Sequence, residues 1–182
     1  MKKKFIPIIG AISAGKSTFL QGLLGTSVFE TGAGTTTKFV CLIKNSNLTR
    51  FYHVIPKKEE KGLEFQEDKN EKEILGEENV KERIKEINNS ENKITKDNIF
   101  YMLEIPIKNI DNPNLLENCY FMDIPGLNDN EKRYIDIIFS LLTLDDIKFE
   151  IMIFDSSTIG SDITLKIIKK LEEKKSLNKK GN

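Results

Sequence analysis

The chain reads as an α/β protein of the phosphate-loop nucleotide-binding class, a three-layer α/β/α arrangement with a mainly parallel sheet. Three observations carry that reading. Residues Gly10-Ala11-Ile12-Ser13-Ala14-Gly15-Lys16-Ser17-Thr18 form a complete GxxxxGK[ST] motif. An apolar stretch, Phe5 to Ile9, precedes it, and Phe19, Leu20, Leu23 and Leu24 follow at helical spacing. Further along, apolar runs at 99–107, 119–123 and 149–155 alternate with a helical pattern, as in a doubly wound sheet.

The motif explains its own residue types. Glycines at 10 and 15 let the backbone curl so that successive N–H groups point at phosphate oxygens, and the helix after them adds the positive end of its dipole. Lys16 reaches the outer phosphates, and the Ser17 hydroxyl is placed to ligate magnesium. Pro7 is awkward in a central strand, so the first strand is expected to be short, with the proline at its entrance.

Asp123-Ile124-Pro125-Gly126 follows the apolar run 119–123. An Asp there can hold magnesium through a water, and the Gly126 N–H can touch a terminal phosphate. Thr35, Thr36 and Thr37 lie between the first helix and the second strand, where a threonine hydroxyl can reach the metal; Thr37 is the first choice and Thr36 its competitor. The strand at 38–43, the turn Asn45-Ser46-Asn47 and the run 50–55 read as a hairpin.

From Pro56 to Asp97 the composition turns to Lys, Glu and Asn, and 56–97 reads as a charged insertion within a single domain spanning 1–182. Val80, Ile84 and Ile87 predict a helix over about 77–88, with the rest of the stretch loosely ordered. Ile135, Ile138, Phe139 and Leu142 predict a helix within 131–142. Leu165, Ile168 and Leu171 predict another, capped by Ser161-Asp162.

With 28 basic and 28 acidic residues the net charge is zero, so the overall balance points to neither a nucleic acid nor a membrane partner. Cys41 and Cys119 read as buried thiols of a reducing, cytoplasmic protein, and His53 as a strand-surface histidine. A small-molecule kinase would share the phosphate loop, but no arginine-rich lid is present and the DxPG element argues against it.

The sequence resembles the N-terminal part of a dynamin-type GTPase domain. The likeness is carried by Ile9 to Leu20, with the Ser-Ala-Gly-Lys-Ser core. It is carried too by Gly32-Ala33-Gly34-Thr35-Thr36-Thr37, by Asp123-Ile124-Pro125-Gly126-Leu127, and by Phe154-Asp155 through Ser161-Asp162. The resemblance implies Mg²⁺-dependent hydrolysis of GTP to GDP, promoted by pairing across the nucleotide face, with itself or with a dynamin-like partner. Ser13 would contact the bridging oxygen and a charge-compensating K⁺ or Na⁺; Thr37 would fix magnesium and the nucleophilic water. The family's guanine-reading Asn/Thr-Lys-x-Asp has no counterpart, since Asn178-Lys179-Lys180-Gly181 places glycine where the carboxylate belongs. The chain stops about where the strand before that element is expected. Guanine preference therefore rests on resemblance, and the alternative expectation is a non-catalytic, truncated G domain that binds longer dynamin-like partners or is inactive.

Overall fold

The computed structural model describes residues 3–29, 37–59, 62–90, 99–110, 116–126 and 151–153, with 165, 166, 168, 169, 172 and 173 in a helical segment. In chain order the elements are β1 (Lys4–Ile9), α1 (Lys16–Leu24), β2 (Val40–Asn45), β3 (Arg50–Glu59), β4 (Gly62–Glu67), β5 (Ile74–Leu75), α2 (Glu77–Asn89), β6 (Phe100–Ile105), β7 (Cys119–Asp123) and β8 (Ile151–Met152). The helix expected within 131–142 and the Ser161-Asp162 cap lie outside the described residues; Leu165 and Ile168 fall in the helical segment.

These strands form one sheet in the order β4-β3-β6-β2-β7-β1-β8, with β5 alongside β3. It is mixed. Around the phosphate loop β7, β1 and β8 run parallel, and β2 pairs with β6 in parallel. Antiparallel pairing joins β2 to β7 and β3 to β4, β5 and β6.

The topology departs from the sequence expectation at two points. β2 and β3 are not hairpin partners, because β6 lies between them: Cys41 faces Tyr101, and Tyr101 faces His53. Every residue of β6 except Glu104 is buried, so the strand gains most from a place with neighbours on both sides. Pro7 stands inside β1, opposite Met122, and not at the strand's entrance. Its missing donor is tolerated where the described part of β8 joins only at Ile8 and Ile9.

Side-chain alternation divides the sheet into two faces. On one, Ile6, Ile8, Cys41, Ile43, Phe51, Tyr101, Leu103, Ile105 and Phe121 pack with Leu20 and Leu24 of α1 and with Val80, Ile84 and Ile87 of α2. Both fully described helices thus share that face. α1 ends where Gly25 takes φ 68° and donates its N–H to Gln21 O at 2.9 Å. α2 carries Glu77 and Glu78 in its first turn, where the helix dipole favours acids.

The opposite face carries Phe5, Leu42, Phe100 and Met102, all buried. Phe65 of β4 reaches across to it, with its ring 5.8 Å from Phe5 and 5.5 Å from Phe100. Since β4 lies five strands from β1 in sheet order, the β3–β4 ribbon must fold over this face. The stretch expected to be loosely ordered around the helix therefore carries the end of β3, all of β4 and β5, and a helix with three buried apolar residues.

Candidate functional site

The site assembles at the carboxyl ends of β1 and β7. β1 runs into Gly10, whose missing side chain is required: a Cβ there would meet Ile153 O at 2.3 Å. The loop then turns through Ser13 (φ 60°) and Gly15 (φ 92°), both left-handed. Glycine adopts that conformation freely; serine does so at a cost of about 1 kcal/mol or more. Lys16 opens α1, and its ammonium folds over the loop, donating to Gly10 O at 3.1 Å and Ala11 O at 2.8 Å.

β7 delivers Asp123 to the same place. Gly126, three residues on, lies so close to the loop that a Cβ would sit 2.7 Å from the Ile12 Cα. The two glycine motifs, more than a hundred residues apart in the chain, are in direct backbone contact. Asp123 is fully buried, flanked in register by Ile8 and Cys41. Neither of its carboxylate oxygens completes a hydrogen bond among the described residues. Burial pushes its pKa up to about 7, opposed by the nearby Lys16 charge and by Thr37, which stands close enough to favour the ionised form without closing a bond of normal geometry. Burial lowers the Lys16 pKa, and Asp123 pulls it back up. Beside them the Cys41 thiol is held well above its ordinary range, by burial first and then by Asp123.

The structure thus brings together Gly10, Ala11, Ile12, Ser13, Ala14, Gly15, Lys16 and Ser17 with Asp123, Gly126 and Thr37. Ser13 and Thr18 are exposed, while Ser17 and Thr37 are partly buried. Thr35 and Thr36 lie outside the described residues, as do Gly32 to Gly34, Leu127 and Phe154 onward. Cys41 was legible only as a buried strand thiol; its place beside Asp123 depends on the β2–β7 register, for which the sequence carries no signal.

His53 lies away from this site and differs from the expected surface histidine. It is buried, not on the surface, with Nδ1 3.1 Å from Asp68 Oδ2 and its ring edge-on to Tyr101. Asp68 is itself held by the backbone and side-chain N–H groups of Asn70, at 2.9 and 3.0 Å. No described helix is long and apolar enough to cross a membrane.

Comparison with known proteins bears on this arrangement. The model of the Dynamin family matches residues 6–178. Two solved structures, both described as an oligomerised bacterial dynamin pair that provides a mechanism for the long-range sensing and tethering of membranes, are each 22 % identical. Each alignment covers 83 % of this chain and 20 % of the other, with TM-scores of 0.49 and 0.51. The chain therefore spans about a fifth of the length of those proteins. No curated protein matches it. With the family model covering nearly the whole chain and the two glycine motifs meeting at one site, the protein belongs to the dynamin family, in the region of that family's G domain.

Proposed function

We propose that the chain is a Mg²⁺-dependent GTP-binding module that hydrolyses GTP to GDP. The observation that carries this is Asp123: a fully buried carboxylate with both oxygens unpartnered among the described residues, beside Lys16 and Thr37. A buried carboxylate left so is strongly disfavoured unless a cation completes it. Hard oxygen donors from Ser17, Thr37 and Asp123, the last through a water, suit magnesium. The ion, when bound, would neutralise charge on the nucleotide's outer phosphates.

The chain's own groups divide the remaining work. Backbone N–H groups from Gly10 to Thr18 and the start of α1 hold the phosphates. Lys16 exchanges the Gly10 and Ala11 carbonyls for phosphate oxygens, and the Gly126 N–H faces the terminal phosphate. Thr37 orients the attacking water. Ser13, exposed at the crest of the loop, is the group that resemblance assigns to the bridging oxygen and to a K⁺ or Na⁺ ion. Pairing across this face, with a second copy or a dynamin-like partner, would exclude water from it. The reading places the protein in the cytoplasm, where GTP is available.

The test is titration with fluorescent GTP in magnesium, competed with unlabelled ATP, with Lys16→Ala alongside. Binding that GTP wins and that falls at least about 100-fold in Lys16→Ala supports the assignment. Absence of binding, or wild-type affinity in Lys16→Ala, overturns it. Absence of binding leaves the non-catalytic reading, in which the domain acts by binding longer dynamin-like partners.

A further inference from the structure

α2 lies outside the nucleotide motifs, and its two ends are fastened to segments that follow them in the chain. At its start, Thr26 Oγ1, just after the phosphate-loop helix, donates to Glu77 Oε1 at 2.6 Å. At its end, the Asn88 side-chain oxygen accepts the backbone N–H of Lys38 at 3.1 Å, and Lys38 Nζ donates to Ser90 O at 3.0 Å. Lys38 directly follows Thr37. Between these fastenings Val80, Ile84 and Ile87 are buried in the same cluster as Leu20 and Leu24 of α1 and Val28, Phe29 and Phe39. The helix therefore spans from the end of α1 to the peptide next to Thr37 as one packed body.

From this we infer that α2 is a brace that sets the position of Thr37, and that Asn88 is its positioning residue. Thr37 can meet Asp123 only if its own peptide is held at the right height above β7. In the described structure the next peptide, at Lys38, gives its N–H not to a strand but to Asn88. Ser90 closes α2 by donating both its N–H and its hydroxyl to Ile87 O, at 3.3 and 3.0 Å, which fixes the last turn that carries Asn88. Asn88 touches neither nucleotide nor metal in this scheme and acts through Lys38 and Thr37. The inference rests on the proposed role of Thr37 in holding magnesium.

The experiment measures GTP turnover against magnesium concentration for the wild type, Asn88→Ala and Asn88→Asp. Asn88→Ala loses the acceptor, and the magnesium needed for half-maximal turnover should rise about fivefold, as for one lost hydrogen bond. Nucleotide affinity in EDTA should stay unchanged. Asn88→Asp keeps the acceptor and should restore the wild-type midpoint, which a merely structural role would not do. Arg83→Ala, which removes the exposed Arg83–Glu86 pair on the same helix, should leave the midpoint alone. Should Asn88→Ala fail to fold, Asn88→Ser removes the carboxamide and carries the same expectation. A wild-type chain with magnesium-dependent turnover and an unmoved midpoint in Asn88→Ala overturns the brace. A wild-type chain with no magnesium-dependent turnover overturns the functional reading on which it stands.

Discussion

At the β7–β1–β8 end of the sheet, Asp123 is buried with neither carboxylate oxygen hydrogen-bonded among the described residues, while at the β3–β4–β5 end Arg50, His53, Glu67, Asp68 and Glu73 have found partners. Arg50 pairs with both Glu67 and Glu73 and lies over the Tyr52 ring. Tyr52 donates to Glu104 at 3.0 Å, His53 is bonded to Asp68, and Lys3 reaches Glu64 at 3.6 Å. Arg50 Nε and His53 Nε2 are left there as buried nitrogens without a hydrogen bond among the described residues, though Arg50 Nε keeps its ion pair with Glu73. The contrast separates two uses of polar residues. The paired charges in the second region hold a ribbon in place and meet one another without a ligand. Asp123 in the first is incomplete, and incompleteness at full burial is tolerated where a ligand supplies what is missing.

Asp123→Asn should have the largest effect. Its folded-state pKa, about 7, stands above the ordinary 3.8, so between those values the folded chain holds a proton that the unfolded chain has lost. Stability from this group is thus full below about pH 4, falls as pH rises toward 7, and is level above that. Asp123→Asn should remove the slope and, at pH 8 without magnesium, stabilise the fold by on the order of 1–3 kcal/mol, less what Lys16 loses. It should also remove magnesium-dependent turnover. Thermal melts from pH 4 to 8 check the first point and a magnesium titration the second. A destabilised Asp123→Asn would mean the carboxylate is satisfied in the folded chain without a ligand.

In the other region the expected signs reverse. Phe65→Ala strips the ribbon of its rings on Phe5 and Phe100 and should lower stability by about 1–3 kcal/mol. Denaturant midpoints should show it, while the magnesium midpoint of turnover stays put. Arg50→Ala should do least, about 0.5 kcal/mol, because its pairs are partly exposed and screened. Its loss should shrink further at high salt. A change in nucleotide affinity in either variant would show that the two regions are energetically coupled.

The same division describes what the sequence made legible. The site's parts were readable because phosphate chemistry demands glycine, lysine and hydroxyl at fixed spacing, so Gly10 to Thr18 and Asp123 to Gly126 stand out one residue at a time. α2 was readable from Val80, Ile84 and Ile87. The β3–β4 ribbon was not, because its apolar residues are sparse among lysines and glutamates, with only Leu63 and Phe65 apolar in β4. Nor was the place of β6, since a turn at Asn45-Ser46-Asn47 favours a hairpin locally and only tertiary burial of both faces decides otherwise. Where Asp123 would lie relative to Cys41 or Thr37 depends on register and loop path, and spacing along the chain encodes neither.

That inserted strand also governs how the chain can assemble. With β6 between β2 and β3, the sheet's middle cannot zip up from a local turn; Val40 must wait for Phe100, about 60 residues later, and Phe5 for Tyr120, about 115 later. During synthesis the apolar run Val40 to Ile43 therefore emerges well before its partners, a span in which a chaperone or a wrong neighbour can reach it. Search of this kind makes folding slow, yet loop closure grows only with the logarithm of length, so doubling the intervening stretch would add about 0.6 kcal/mol. A chain built this way can change the length of its charged segment at little thermodynamic cost, but it cannot hurry.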